Sequence, residues 1–396
     1  MARRDMRLGL SLGAATLAAL IGAEIGIRPE RRAAYTLSFS PRGDRVAAVT
    51  EGEPKGSGQL WIWDVATGRE VASASVPDRP LSVSYSPRGD SVATGGWMGT
   101  VLLWDPDAGR VLRSFAGHST PVRGLAFLPD GRRLAAGASD GRVILWDVDS
   151  GREQMQLDRG LRLPINGMAI SHDGRLLAAA GGIGAGAVSL WDLETAKPLQ
   201  PASLPAGGEP VAFAPDQAIL AARATSPAGS IGLVDLDGDR AISNIPSGGA
   251  RCVAFSPDGR MVAVGGDDEI VTVLEAGTGR SVTSYGGHRH RPDPFGEDFR
   301  NLMADFGLAE RRVQNSVWSV AFSPDGTLLA SSGQDGAVWL WGLPNRDGIR
   351  PPDRALLTRP SRPGWLLAIQ GTLVLAALAL LAMALLARNK WPVTPR

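Results

Sequence analysis

The chain has 396 residues and a formal net charge of +1, so no global field draws it to nucleic acid or to an acidic polymer. Its single cysteine, Cys252, excludes a disulfide within the chain and any multi-cysteine metal site. The 50 glycines and 28 prolines call for many tight turns.

Residues 1–27 form the first element. Arg3, Arg4 and Arg7 precede an apolar run from Leu8 to Ala23, which Glu24 interrupts. A basic start followed by a short apolar stretch rich in Ala and Gly is the pattern of a secretory signal, with cleavage after Ala23. Ile25 and Ile27 extend the run, which suits a retained membrane anchor equally well. Both readings place the chain beyond residue 27 outside the cytoplasm.

From residue 33 to residue 343 a unit of roughly forty residues recurs seven times. Its clearest copies end in Trp63-Asp64, Trp104-Asp105, Trp146-Asp147 and Trp191-Asp192. Val234-Asp235, Leu274-Glu275 and Trp341-Gly342 end three degenerate copies, and the intervals are 41, 42, 45, 43, 40 and 67 residues. In the copy from Pro121 to Arg152, short apolar runs are divided by Pro129-Asp130-Gly131, Asp140-Gly141 and Asp149-Ser150-Gly151. That is the pattern of a small buried sheet with hairpin turns, its fourth strand near Gln154 to Leu157. A sheet apolar on both faces must be sandwiched between neighbours, and a ring of such sheets leaves only short protected edges. The expected fold class is therefore all-β: a seven-bladed β-propeller of four-stranded antiparallel blades, with an N-terminal apolar helix and a C-terminal transmembrane helix.

The turn signature Ser-Pro-Asp-Gly stands at Ser256 to Gly259 and at Ser323 to Gly326. Ser40 to Gly43 and Ser86 to Gly89 read Ser-Pro-Arg-Gly, with variants at Leu128 to Gly131, Ser171 to Gly174 and Ala214 to Gln217. Together with the Trp-Asp endings, these features resemble the WD-repeat (WD40) β-propeller family over roughly residues 33–343. The resemblance implies a structural polar network of a Gly-His histidine, a strand-two hydroxyl, a turn aspartate and the strand-three tryptophan. The matching residues in the last unit are His288, Ser331, Asp335 and Trp341. His118, Asp140 and Trp146 match in the third unit, where Ala136 takes the hydroxyl position. The other units are expected to keep only the tryptophan, as at Trp63, Trp104 and Trp191, and to hold by packing. The resemblance also implies a docking rim, where the first strand of each blade opens the central channel. Aligned across the units, Tyr35, Leu81, Arg123, Asn166, Glu209, Arg251 and Trp318 occupy that position. Aromatic and arginine side chains are the usual anchors of protein interfaces.

Two insertions elaborate the same rim. Glu51 to Gly58 forms a long loop in the first unit. Near residues 289–313 an insertion opens with Asp293 as N-cap and Pro294 at the first helical position. Phe295, Phe299, Leu302, Met303 and Phe306 then form an apolar helical stripe, and Gly307 stops it. The stripe either folds down as a lid or takes a partner or lipid.

Closure of the ring needs a strand in the last blade, from Arg28 to Arg32 or from Ala355 to Thr358. Residues 344–364 read as a linker, 365–387 as an uncharged transmembrane helix and 388–396 as a short tail. At 1.5 Å per residue the helix spans about 34 Å. Arg346, Arg350, Arg354, Arg359 and Arg362 before it, against Arg388, Lys390 and Arg396 after it, put the propeller on the cytoplasmic side. This opposes the N-terminal signal, which is given precedence because the first segment usually sets orientation.

No cofactor, metal or nucleic acid is expected. His288, His290 and Asp293 do not make a metal motif, and Gly181 to Gly186 lacks the lysine of a phosphate loop. The expected function is that of a non-enzymatic, membrane-tethered scaffold, single- or double-pass, that binds a protein partner on its rim and lipid through its helix. The alternative is an extracytoplasmic propeller hydrolase or ligand sensor.

Overall fold

The computed structural model describes residues 33–52, 56–158, 163–182, 187–200, 209–216, 218–224, 230–246, 249–288, 315–344 and 353–357. They belong to one compact unit, 31–298 with 312–358. Seven sheets of four antiparallel strands make it up, each with its strands in chain order from the inside outward. Blade 1 runs from Ala34 to Val76, blade 2 from Pro80 to Phe115, blade 3 from Val122 to Asp158 and blade 4 from Ile165 to Leu199. Blade 5 runs from Val211 to Pro246, blade 6 from Ala250 to Tyr285 and blade 7 from Val317 to Leu357.

The ring follows from the sequence of each blade. Second strands such as Val92–Gly96 are buried along their whole length, because a neighbouring sheet covers each face. Outer strands such as Val111–Phe115 are largely exposed. Small residues in the second strands let adjacent sheets approach. A Cβ on Gly95 would fall 2.6 Å from Val122, one on Gly137 2.8 Å from Ile165, and one on Gly265 2.6 Å from Val317. In each case the opposing residue is the first of the next blade's inner strand. Alanine at these three glycines therefore forces blades apart.

The signature turns build themselves. In blade 6 the Ser256 hydroxyl donates to Asp258 at 2.6 Å and accepts from the Met261 N–H at 2.9 Å. The Arg260 N–H caps the same carboxylate at 3.1 Å. Gly259 takes the left-handed conformation the turn demands, at φ 68°.

Blade 7 meets blade 1 directly. The Leu37 N–H donates to Ser319 Oγ at 3.4 Å, and Tyr35 stacks on Trp318 with ring centroids 5.1 Å apart. The last blade takes its outer strand, Arg354–Leu357, from the C-terminal side, paired on Val338–Gly342. This answers the closure question in favour of the segment near 355, so the blade extends into the stretch read as a linker. Each blade keeps all four of its own strands.

The expected fold class is corrected at both ends. The described residues form strands and turns with no helix, and none is long and apolar enough to cross a membrane. The described residues are thus an all-β propeller of seven four-stranded blades, and no helix stands beside it among them. The physical reason lies in the pattern: the apolar residues of the described chain sit in short strands and are taken up by sheet-to-sheet packing. Residues 1–27 and 365–387 lie outside the described residues, as does the insertion stripe of Phe295, Phe299, Leu302, Met303 and Phe306. The membrane-lipid partner that rested on the apolar helices is left without support.

Candidate partner-binding rim

Six of the seven aligned rim residues share one backbone device. In each of six inner strands a single residue drops out of the ladder as a β-bulge. The bulged residues are Tyr35, Leu81, Arg123, Asn166, Arg251 and Trp318. A bulge re-aims the side chain that it frees from pairing. Glu209 differs: it precedes the short strand Val211–Phe213, which pairs without a bulge.

The bulged side chains do not share one environment. Leu81 and Tyr35 are buried in the packing between blades 1 and 2, so they support the rim rather than present it. Arg123, Asn166 and Trp318 are half-buried, and Glu209 and Arg251 are exposed.

Aromatic rings and guanidinium groups stack in series over blades 7, 1, 2 and 3. Trp318 stacks on Tyr35 with 12° between the ring planes. Arg79 lies 5.1 Å over the Tyr35 ring and 5.2 Å from Trp97, and Arg123 approaches the other side of the series 5.8 Å from Trp97. Such cation–π contacts are worth roughly 0.5–1 kcal/mol each at exposed sites. Arg79 is further held by its Nε donating to the Tyr35 hydroxyl at 2.8 Å and pairing with Glu51 at 3.0 Å. Burial raises the Tyr35 pKa, and the hydrogen bond from Arg79 works against that rise. The series ends in the open: Trp97 is 42% exposed and Met98 is 70% exposed. Asp78 fixes that turn by accepting the Met98 N–H at 2.9 Å.

Arg79, Trp97 and Met98 were not among the residues read from the sequence. A signal was present. The turn that carries Ser139-Asp140-Gly141 in blade 3 and Gln334-Asp335-Gly336 in blade 7 carries Trp97-Met98-Gly99 in blade 2. Two large apolar residues in a tight surface turn do nothing for the turn itself.

The other side of the channel mouth is charged. Arg251 donates to Asp267 at 2.7 Å, and Ser316 donates to the same carboxylate at 2.7 Å. Glu209 faces the field of Arg123, Arg251 and Arg223. Glu209 is exposed as a residue, yet protein surrounds its carboxylate closely. Lost hydration pushes its pKa up to about 7, against the lowering pull of the three arginines.

The residues expected to be structural lie within the blades. In blade 7 the Trp341 indole N–H donates to Ser331 Oγ at 2.8 Å. Ser331 and His288 Nε2 are 2.8 Å apart, and His288 Nδ1 lies 3.0 Å from Asp335. Asp335 accepts, which sets the proton of His288 on Nδ1 and makes Nε2 the acceptor of the Ser331 hydroxyl. His288 and Ser331 have no exposed surface, so no substrate reaches this Ser-His-Asp arrangement. In blade 3 the series is broken. With Ala136 in the hydroxyl position, Trp146 donates instead to the Ala116 carbonyl at 3.1 Å, and His118 stands 3.8 Å from Asp140. Burial lowers the His118 pKa. Blade 2 retains more than its sequence suggests: Trp104 donates to Thr94 at 2.9 Å. Trp63 and Trp191 are buried in their blades.

Seven four-stranded antiparallel blades define a β-propeller. A family profile described as "WD domain, G-beta repeat" matches residues 72–105, 109–147, 244–273 and 311–342. Four units of the chain thus match WD repeats within a seven-bladed propeller, and WD propellers typically bind protein partners as non-catalytic scaffolds. Over 107 residues it is 33% identical to the WD repeat-containing protein VIP3 of Arabidopsis thaliana, covering 24% of this chain and 32% of that protein. It is 33% identical over 125 residues to the WD repeat-containing protein 1-B of Xenopus laevis, covering 31% and 16%. With a probable cytosolic iron-sulfur protein assembly protein 1 of Cryptococcus neoformans it shares 28% identity over 174 residues, covering 35% and 38%. The matched stretch thus spans well under half the length of each of these relatives.

Proposed function

We propose that the chain is a scaffold that docks a protein partner across the channel mouth, centred on Trp97, Met98 and Arg123. Trp318, Arg251, Asn166 and Glu209 border the same footprint, with Tyr35 and Leu81 supporting it from beneath. The observation that carries this reading is the aromatic–guanidinium series ending in an exposed Trp97-Met98 pair. Arg79 is already committed to Tyr35 and Glu51, which holds Trp97 in place before a partner arrives. Interfaces that need little reordering lose less entropy on binding. Tryptophan and arginine at the centre of a rigid patch are the residue types that carry most interface energy.

The test is capture of partners from an extract of the source cell by the intact chain, followed by mass spectrometry. Trp97→Ala and Arg123→Ala should each remove the same captured proteins. Capture unchanged in both variants moves the docking face away from this rim.

A further inference from the structure

The seven junctions between successive blades share one construction. In each outer strand one residue pairs with the position just before the repeat ending. These residues are Ala72, Arg113, Met155, Leu199, Ser243, Thr283 and Arg354 in chain order. At two junctions an arginine stands there and crosses to the next blade's turn. Arg113 donates to the carbonyls of Asp149 and Ser150 at 2.8 and 3.1 Å. Arg354 donates to those of Ala66 and Val65 at 2.8 and 3.1 Å. At two others apolar side chains fill the space: Met155 packs in one cluster with Leu193, and Leu199 with Leu236.

Between blades 5 and 6 the corresponding residues are Ser243 and Ala276, both small. A groove of about 1060 Å³ opens beside this junction, lined by Ala276, with Ile219, Ile242 and Phe255 as its apolar wall. Ala276, Gly277 and Thr278, the counterparts of the carbonyl-bearing residues at the arginine junctions, line it. The turn glycine shows the difference. A Cβ on Gly151 would lie 2.9 Å from Arg113, and one on Gly68 2.9 Å from Arg354; at Gly279 only Ile245 is near, at 3.8 Å. The Ser243 hydroxyl is buried with no hydrogen-bond partner.

Charge points the same way. Asp216, Asp235, Asp237 and Glu275 line the groove, against Arg240 and Arg260. Asp235 is taken by Arg240 at 3.0 Å and Glu275 by Arg280 at 2.6 Å. Asp216 and Asp237 hold no ion pair among the described residues. We propose that this groove receives an arginine side chain presented by an extended segment of a partner protein, in the place that Arg113 and Arg354 fill from within the chain at their own junctions. A guanidinium suits it better than an ammonium, because its planar fork reaches two successive carbonyls at once while its stem lies on Ile242 and Phe255. The site lies away from the channel mouth and does not depend on the rim reading.

The probe is acetyl-Leu-Arg-Leu-amide, titrated into the intact chain and followed at the Ile242 methyl resonance. The matching citrulline peptide, which keeps the shape and loses the charge, should bind about tenfold more weakly or worse, the worth of a charge-assisted hydrogen bond. Ser243→Arg should occupy the groove from within and abolish the shift, while Trp97→Ala should leave it intact. Should Ser243→Arg fail to fold, Ala276→Leu fills the same space as Leu193 and Leu236 do at theirs, and serves as the blocking variant. Absence of a shift, equal binding of the citrulline peptide, or binding that survives the blocking variant overturns the proposal.

Discussion

Ser331 Oγ accepts the Trp341 indole proton at 2.8 Å and stands 2.8 Å from His288 Nε2, so one buried hydroxyl holds two partners. Ser331→Ala should therefore cost about 1–3 kcal/mol, because it strands two buried polar groups at once. Ala136→Ser in blade 3 is the converse. It places a hydroxyl beside Trp146 and His118 Nε2, which now contacts only the Ala136 carbonyl at 3.1 Å, and should add about 1 kcal/mol. Urea unfolding of the two variants measures both, and an unchanged midpoint for Ser331→Ala would remove the network from the account of stability.

Glu209 makes stability fall with pH. Its folded pKa of about 7 lies above the ordinary 4.5, so between those values the folded chain holds a proton that the unfolded chain has released. Raising the pH through that window removes the proton at the expense of the fold. Glu209→Gln should flatten this part of the profile and leave the variant more stable near pH 8, by about 1 kcal/mol once the exposure of the residue is discounted. Thermal midpoints of the two proteins from about pH 5 to about pH 8 give the comparison. Parallel profiles would mean that the carboxylate ionises normally.

At the seam between the last and first blades, Arg354→Ala removes two hydrogen bonds to Val65 and Ala66. Because these bonds are partly exposed, the expected loss is about 1 kcal/mol. Hydrogen exchange should quicken first at the amides of blades 1 and 7, since among the described residues no exchanged strand locks this junction. Quickening spread evenly over the wheel would contradict a local seam.

Trp97→Ala separates binding from folding. The ring is 42% exposed and touches Arg79 and Arg123, so its loss should change stability by about 1 kcal/mol or less. Affinity for a captured partner should fall about 30-fold or more, as for a central tryptophan anchor. A variant that unfolds early but still binds would reverse the roles assigned here.

The repeat is legible in the sequence because its signals are local. The turn at Ser256 to Gly259 is closed by residues within five positions of one another, and the endings at Trp63 to Trp341 mark the third strand of each blade. Near-regular spacing over the first six units, with the strand pattern repeated after the insertion, then carries the rim alignment, and six of its positions share a bulge. The alignment does not tell which of them are covered. Leu81 and Tyr35 are buried by neighbouring blades, a matter of three-dimensional packing. Thr94 carries no signal of its own, because blade 2 has no Gly-His histidine to announce a network. The groove at Ser243 and Ala276 is a meeting of two small residues from different blades, which no single repeat reveals. The apolar stretches at the two ends read as helices by length and composition alone, and both lie outside the described residues.

The bulges reach beyond the placing of side chains. A residue squeezed out of the ladder contributes little to the hydrogen bonding that holds its strand, so Arg123, Asn166, Arg251 and Trp318 can differ as widely as they do while the spokes stay alike. The wheel thereby separates its vocabulary from its grammar: the letters spelled around the hub can be rewritten one at a time without loosening the frame that displays them.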